Sequence, residues 1–300
     1  MSARRVLLTG ATGLIGRQTI APLRERGFTI VALSHSSRSV AGADETVVAD
    51  LLDGSSIRAA VQSAVATHLI HLAWHDTLAD RWTSPKNIDW SAATLQLVRR
   101  FAEAGGQCAV VAGSCAEYDW RSEGPFSEGD TLGATTLYGR AKAATGALLI
   151  AAAKDIGISL AWARIFFCYG PGEPPGRLVG DLIAGLSSGN IVECTDGRQA
   201  RDLLHTADIG RALALLADRN ASGPVNIGSG QAVPVATVIE TVVRLMDRPG
   251  LVRFGAQTRP ADDPPLIEAD VTRLNGEFGF RPAFDLESGL ANVVRLERRA

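Results

Sequence analysis

The opening of this 300-residue chain lacks an apolar run long enough for a signal peptide or a membrane span: in MSARRVLLTG, two arginines precede only Val6, Leu7 and Leu8 before Thr9 and Gly10. A cytoplasmic protein with no membrane partner is expected. The sequence is also short of cysteine: Cys108, Cys115, Cys168 and Cys194 are scattered with no CxxC spacing, which argues against a disulfide framework and against a structural zinc site. Nor is there a charge excess. A formal net charge of −2 leaves no broad basic field for nucleic acid, so an anionic ligand must be met by a few placed groups. No HExxH pattern occurs; His71 and His75, with Asp76, stand at an expected strand end rather than within a helix, and no metal is expected. Internal repeats and low-complexity tracts are absent as well.

What is present is ordinary for a globular protein with a sizeable core, 46% hydrophobic and 21% charged. Short apolar runs alternate with longer amphipathic stretches, the rhythm of a parallel sheet covered by helices on both faces. Strands are expected at Arg5–Thr9, Thr29–Ser34, Thr46–Ala49, His68–Ala73, Cys108–Gly113 and Ser159–Ile165, and helices at Gly13–Arg26, Ser55–Val65, Ile88–Ala104 and Tyr138–Asp155. After Gly170 the text turns proline-rich. The fold class is therefore α/β: a Rossmann-like doubly wound parallel sheet (residues 1–170, with 199–229 returning to it) and a smaller C-terminal substrate lobe (171–198 and 230–300).

Arg5-Val-Leu-Leu-Thr9 runs directly into Gly10-Ala-Thr12-Gly13-Leu14-Ile15-Gly16. Strand, glycine turn and helix start together place free N–H groups and the positive end of a helix dipole where a pyrophosphate can sit. Dinucleotide binding is the reading, although the spacing is GxxGxxG. At the end of the second strand, where NAD enzymes keep an acidic residue roughly 20 residues beyond the glycines, stands Ser34-His35-Ser36-Ser37-Arg38. With no carboxylate to repel a 2′-phosphate, Arg38 and the Ser36 and Ser37 hydroxyls favour NADP, with NAD possible; a solvated loop charge is the alternative for Arg38. Asp50, followed by Leu51, falls where an adenine-contacting carboxylate would sit, or caps a helix near Asp53.

Tyr138-Gly-Arg-Ala-Lys142 puts two side chains on one helical face. A tyrosine of ordinary pKa, about 10, is a poor base at neutral pH unless a lysine ammonium and a nicotinamide charge favour its phenolate. Cys108-Ala-Val-Val-Ala-Gly113 is another buried strand, and Ser114 at its end can face the same oxygen as Tyr138. Glycine turn, strand-end serine and YxxxK in order make Ser114, Tyr138 and Lys142 the expected catalytic residues.

These segments resemble the extended short-chain dehydrogenase/reductases, the family of sugar-nucleotide epimerases, dehydratases and 4-ketoreductases. The resemblance is carried by Thr9 to Gly16, Asp50-Leu51, His71-Leu72-Ala73, Ser114 to Tyr118, Tyr138 to Lys142, Arg164-Ile-Phe-Phe-Cys-Tyr-Gly-Pro171, Gly197 to His205, Asp208 and Asn226-Ile-Gly-Ser-Gly230. It implies a nucleotide-diphosphate sugar as substrate and a homodimer through the helices Ile88–Ala104 and Tyr138–Asp155. Dehydratases of the family follow their strand-end Ser or Thr with an Asp-Glu pair; Cys115 and Ala116 stand here, so dehydration is not expected. Phe167 replaces the family's asparagine, and Glu117 has no assigned role.

For the substrate, Arg177, Arg198, Arg201 and Arg259 are candidates to meet the diphosphate or cover the sugar, Arg201 foremost, and His75, with Trp74, to wall the pocket. Trp82 and Trp90 read as core or lobe-contact residues, and Asn226 as fixing backbone near Gly228. The first expectation is an NADPH-dependent reductase of a nucleotide-linked 4-keto-6-deoxy sugar with Tyr138 as proton donor. The alternatives are a nucleotide-sugar 4-epimerase with tightly bound NAD and, from another class, a non-catalytic NADP-binding sensor.

Overall fold

The computed structural model describes residues 4–75, 77, 79–122 and 124–298. The first half alternates as expected: β1 (Arg5–Thr9), α1 (Gly16–Glu25), β2 (Thr29–Ser34), β3 (Glu45–Val48), α2 (Gly54–Ala64), β4 (His68–His71), α3 (Lys86–Glu103), β5 (Cys108–Ser114), α4 (Leu137–Ala152) and β6 (Ser159–Ile165). There follow β7 (Phe167–Tyr169), α5 (Leu178–Ser187), β8 (Val192–Glu193), β9 (Ala200–His205), α6 (Thr206–Asp218) and β10 (Gly223–Ile227). The chain ends with β11 (Ala232–Pro234), α7 (Val235–Met246), β12 (Val252–Arg253), β13 (Leu266–Ile267), α8 (Thr272–Gly276) and α9 (Leu286–Glu297).

Seven strands form one parallel sheet in the order β10-β6-β5-β4-β1-β2-β3. Successive side chains of a strand point to opposite faces. Thus Val6 and Leu8 enter the core under α1 and α6, while Leu7 enters the core under α2, α3 and α4. Both faces are covered, which is why these strands read as continuous apolar runs rather than alternating ones.

Two boundaries differ from expectation for a local reason. The first helix begins at Gly16 rather than Gly13, because residues 10–13 are used in a turn in which Gly13 N donates to Gly10 O at 3.0 Å. The fourth strand stops at His71 rather than Ala73, because Leu72 and Ala73 donate their N–H groups to the Thr9 hydroxyl. Of the 199–229 stretch expected to rejoin the main sheet, β10 pairs with β6 and α6 packs on α1. Its first residues instead belong to β9, which pairs with β7, β11 and β13 in a smaller sheet. Beside that sheet, α5, α7 and α9 bury Val179, Leu182, Val238, Val242, Leu290 and Val293 together with Tyr169. Among the described residues no helix is long and apolar enough to cross a membrane.

Trp162 of β6 is fully buried in the core under α2, α3 and α4, and its indole N–H donates to Glu117 Oε1 at 2.9 Å. Trp162→Ala removes both a large core side chain and a partner of a buried carboxylate. It should destabilise the protein by about 3–5 kcal/mol, read as a lowered urea midpoint; a loss under about 1 kcal/mol would place the core elsewhere.

Candidate active site

The site begins where the strand order reverses, between β1 and β4, the position at which open α/β sheets bind ligands. Gly10 turns the chain there with φ at +67°, and a Cβ on it would lie 2.9 Å from Ala73 N. The loops after β1 and β4 are therefore pressed together. Thr9 Oγ1 fastens them, accepting from Leu72 N at 3.2 Å and Ala73 N at 3.3 Å and sharing a hydrogen bond with His71 Nδ1 at 2.7 Å. His71 Nε2 meets Thr94 Oγ1 at 2.9 Å, and burial with help from Lys142 pulls its pKa down to about 3, so the ring is neutral and fully engaged. A Cβ at Gly16 would sit 2.0 Å from Gly10 O. Only glycine permits this closure; no side chain caps α1, and although Arg17 N and Gln18 N already donate to Gly13 O and Ile15 O, the helix opens onto the turn formed by Gly13, Leu14 and Ile15. That cradle fits a dinucleotide pyrophosphate. Thr12 beside it is exposed.

At the adenosine end, Ser36, Ser37 and Arg38 are exposed at the tip of β2, with Ser36 N donating to Ser34 Oγ at 3.2 Å. Asp50 is also exposed and accepts from Leu52 N at 2.8 Å, while Asp53, not Asp50, caps α2 through Ser55 N. Leu51 is buried behind them.

The chemical end is assembled by two caps. Glu117 folds the end of β5 into a 3-10 turn, accepting from Ser114 N at 2.7 Å while Ser114 Oγ accepts from Ala116 N at 3.2 Å. Thr136 Oγ1 caps α4 by accepting from Gly139 N at 3.1 Å, which puts Tyr138 in the first turn and Lys142 one turn on. Gly139 lets α4 lie on the 3-10 turn, since a Cβ there would be 2.2 Å from Ala116 O. In this way Tyr138 reaches Ser114. Burial raises the Tyr138 pKa to about 12, against which the Ser114 hydroxyl and the Arg81 charge act. Lys142 Nζ donates to Ala112 O at 2.8 Å and lies 3.7 Å from the Trp74 ring centre; burial pulls its pKa down to about 7, with Glu117 opposing. Trp74 is fixed in turn by its Nε1 donating to Asn87 Oδ1 at 2.9 Å.

Several groups at the site have roles the sequence did not disclose. Trp82, read as a core or lobe-contact residue, meets the Tyr138 ring edge-on with centroids 5.4 Å apart, and its carbonyl accepts from Tyr138 N at 3.2 Å. The neighbouring Arg81 stands over the Trp82 ring at 4.7 Å. The only signal in the sequence is the position of the Arg-Trp pair in the loop after an active-site strand. Glu117 accepts from Ser114 N, Trp162 Nε1 and Arg164 Nε, so it acts as a buried carboxylate that holds the strand end. His75 is buried and paired with Asp80 at 2.8 Å; Asp76 lies outside the described residues. Among the described residues no group of three or more His, Cys, Asp or Glu side chains could hold a metal.

On the substrate side, Cys115 and Ala116 are buried beside Ser114, and burial pushes the Cys115 thiol well above the ordinary thiol range. Arg177 Nη1 donates to Cys168 O and Sγ, both at 3.3 Å. Arg201 is bound to its own surroundings: Nη1 donates to Ala200 O and Pro264 O at 2.8 Å, and Nη2 pairs with Asp263 at 2.5 Å. Phe167 lies under this guanidinium at 5.5 Å. The half-buried Arg259 is close enough to Arg201 for the two charges to repel. Asn226 does not fix the backbone near Gly228. Its amide donates to Phe126 O at 2.8 Å and Asp270 O at 3.1 Å and accepts from the Tyr118 hydroxyl at 2.7 Å. The Gly228–Gly230 turn is held instead by Asp202, which accepts from Ser229 N at 2.6 Å and Gly230 N at 2.9 Å.

Comparison with known proteins follows the same geometry. Residues 6–228 match the model of the NAD dependent epimerase/dehydratase family. The chain is 27% identical to UDP-glucuronate 4-epimerase 2 of Arabidopsis thaliana over 97% of its own length and 75% of the relative's. It is 25% identical to dTDP-4-dehydro-6-deoxyglucose reductase of Escherichia coli, covering 98% of each. Among solved structures, MoeE5 in complex with UDP-glucuronic acid and NAD superposes with a TM-score of 0.87 at 31% identity, covering 98% of this chain and 99% of that one. With the glycine turn at the strand reversal and the serine, tyrosine and lysine gathered at the end of β5, the chain belongs to the NAD dependent epimerase/dehydratase family and is an enzyme of that family.

Proposed function

We propose that this enzyme is a nucleotide-sugar 4-epimerase that works with a retained NAD. The observation that carries the reading is the placement of the Tyr138 phenol against Ser114 with the buried Lys142 one helical turn away, beside a crevice shaped for a dinucleotide. When bound, NAD supplies the acceptor and then the donor of a hydride, together with a positive charge near the phenol. Tyr138 takes the proton from the sugar C4 hydroxyl as that carbon is oxidised, and returns it when the carbon is reduced on its other face. Ser114 donates a hydrogen bond to the same oxygen and holds it in place. The Ser114 hydroxyl and the Arg81 charge act to lower the phenol pKa from its buried value, and Lys142, fixed on Ala112 O, would hold the cofactor ribose. Gly10, Gly13 and Gly16 would hold the pyrophosphate, with Thr12, Leu14 and Ile15 around it, and Asp50, Leu51, Leu72, Ala73 and Trp74 would line the rest of the cofactor's path. Of the arginines expected to meet the substrate diphosphate, Arg259 is the freer, since Arg201 is already held by Ala200 O, Pro264 O and Asp263. That the relatives include UDP-glucuronate 4-epimerases supports this reading.

A 4-ketoreductase using NADPH is the second reading, favoured by one observation: the tip of β2 offers the exposed Ser36, Ser37 and Arg38. The two separate on the purified protein. An epimerase releases oxidised cofactor on denaturation and interconverts nucleotide hexoses; a reductase consumes NADPH stoichiometrically with a nucleotide-linked 4-keto sugar.

Tyr138→Phe should lower turnover by about 10²–10⁴-fold and leave cofactor content unchanged; turnover within a factor of about 3 of the parent would remove Tyr138 from the chemistry. The depressed Lys142 pKa gives a second test. The unfolded chain holds that proton up to about pH 10.4, whereas the folded, cofactor-free protein releases it near 7. Stability therefore rises with pH between those values. Lys142→Met should lack this rise, so the difference in unfolding free energy between the two proteins should change between pH 7 and pH 10 in favour of the parent; parallel curves would contradict it. A homodimer through α3 and α4, whose Ile88 and Leu148 are exposed, is the expected assembly. Light scattering that returns a monomer mass would dismiss it.

A further inference from the structure

Two tryptophans bracket the proton-handling pair, and one buried residue holds both. Trp74 lays its ring 3.7 Å from Lys142 Nζ. Trp82 meets the Tyr138 ring edge-on at 5.4 Å, and its carbonyl accepts from Tyr138 N at 3.2 Å. Both tryptophans lie between β4 and α3, outside any strand or helix, so no regular element fixes their side chains. Asn87, in the first turn of α3, is fully buried and supplies the missing anchor. Its Oδ1 accepts from Trp74 Nε1 at 2.9 Å. Its Nδ2 donates to Arg81 O at 2.8 Å and to Ser84 O at 2.9 Å, gripping the chain on both sides of Trp82.

The polarity of these partners fixes the amide. An asparagine side chain has one acceptor oxygen and two N–H donors. The indole N–H can only donate and the two carbonyls can only accept, so the amide has a single orientation and neither of its N–H groups is left for a ligand. Asn87 therefore acts on the chemistry through other side chains. One arm sets the aromatic face that favours the ammonium of Lys142. The other sets the carbonyl and the ring against which Tyr138 stands at the start of α4. Resting on Tyr138 and Lys142 as the proton-handling pair, whichever of the two reactions they serve, we propose that Asn87 is a positioning residue that keeps this pair in register by holding Trp74 and Trp82. Ser114 is aimed from the β6 side by Glu117 and its partners, and the tyrosine and lysine are aimed from α3.

The test uses the full-length protein with the cofactor it retains, and reads Lys142 by NMR as well as turnover. Lys86 and Lys154, the only other lysines in the sequence, are exposed. With isotope-labelled lysine, the ε-methylene resonance of Lys142 should therefore stand apart, moved upfield by the Trp74 ring. Asn87→Ala should shift it toward the other two, and lower kcat by about 10–10²-fold while KM and cofactor content stay within about 3-fold of the parent. Trp74→Phe keeps a ring but loses the bond to Asn87; combined with Asn87→Ala it should cost less than the two single losses multiplied. Asn87→Asp serves if the alanine variant folds poorly: it keeps the acceptor for Trp74 and loses the donors to Arg81 O and Ser84 O. That variant should leave the Lys142 resonance in place and still lower kcat. An unmoved resonance in Asn87→Ala, an unchanged kcat, or losses confined to cofactor content and melting temperature would overturn the proposal. A parent that turns over no nucleotide sugar would remove the proposed function instead, and the lysine resonance alone would then decide whether Asn87 holds Trp74 on Lys142.

Discussion

A fully buried carboxylate, Glu117, is the joint on which the Ser114 end of the site is built. One oxygen accepts from Ser114 N and Trp162 Nε1, the other from Trp162 Nε1 and Arg164 Nε at 3.0 Å. Arg164 passes the connection on, donating to the Tyr118 hydroxyl at 3.0 Å and to Glu128 O at 3.1 Å. Tyr118 donates to Asn226 of β10, whose amide reaches Phe126 O and Asp270 O. The chain of bonds runs from Ser114 across β5, β6 and β10 to segments near the smaller sheet. Burying an ion pair is unfavourable in itself, and removing one partner leaves the other charge stranded. Each member is thus held by the others, and the geometry of Ser114 is set by groups that never touch substrate.

The same environment sets the proton chemistry. Placing Tyr138 and Lys142 in a dry corner raises one pKa and lowers the other, the wrong direction for a base and its activating cation. The Ser114 hydroxyl and the Arg81 charge act against this for the phenol, and in the proposed mechanism a positively charged cofactor would add to them. Trp74 contributes here too, since an aromatic face 3.7 Å from an ammonium favours the protonated lysine.

What could be read in the sequence were features whose physics is local. The glycine turn after β1, the apolar strand ending in Ser114 and the helical spacing of Tyr138 and Lys142 depend on neighbours within a few residues, and the sheet follows from repeating them. What could not be read depends on partners far apart in sequence. Glu117 finds Arg164 across 47 positions, and Arg201 finds Asp263 across 62. Arg81 and Trp82 sit in an irregular loop with no periodicity to mark which way they face, so nothing short of the folded chain brings them to Tyr138. Asn226 was placed at the correct strand end but with the wrong partner, because the Gly228 turn it precedes is held by Asp202, a residue of the smaller sheet.

The strand order also governs how the chain can be completed as it is made. The edge strand β10 is residues 223–227, yet it pairs with β6 at residues 159–165, and the small-sheet strands β7 and β9 are synthesised between them. Until β10 arrives, β6 presents an open, apolar edge with Trp162 and Arg164 on it, the kind of surface to which a second unfinished chain can add. The bond from Tyr118 to Asn226 spans 108 residues and forms only when that edge closes. Catalytic geometry and protection from misassembly are therefore acquired in the same late step, and a chaperone that shields β6 during synthesis would protect the active site as well.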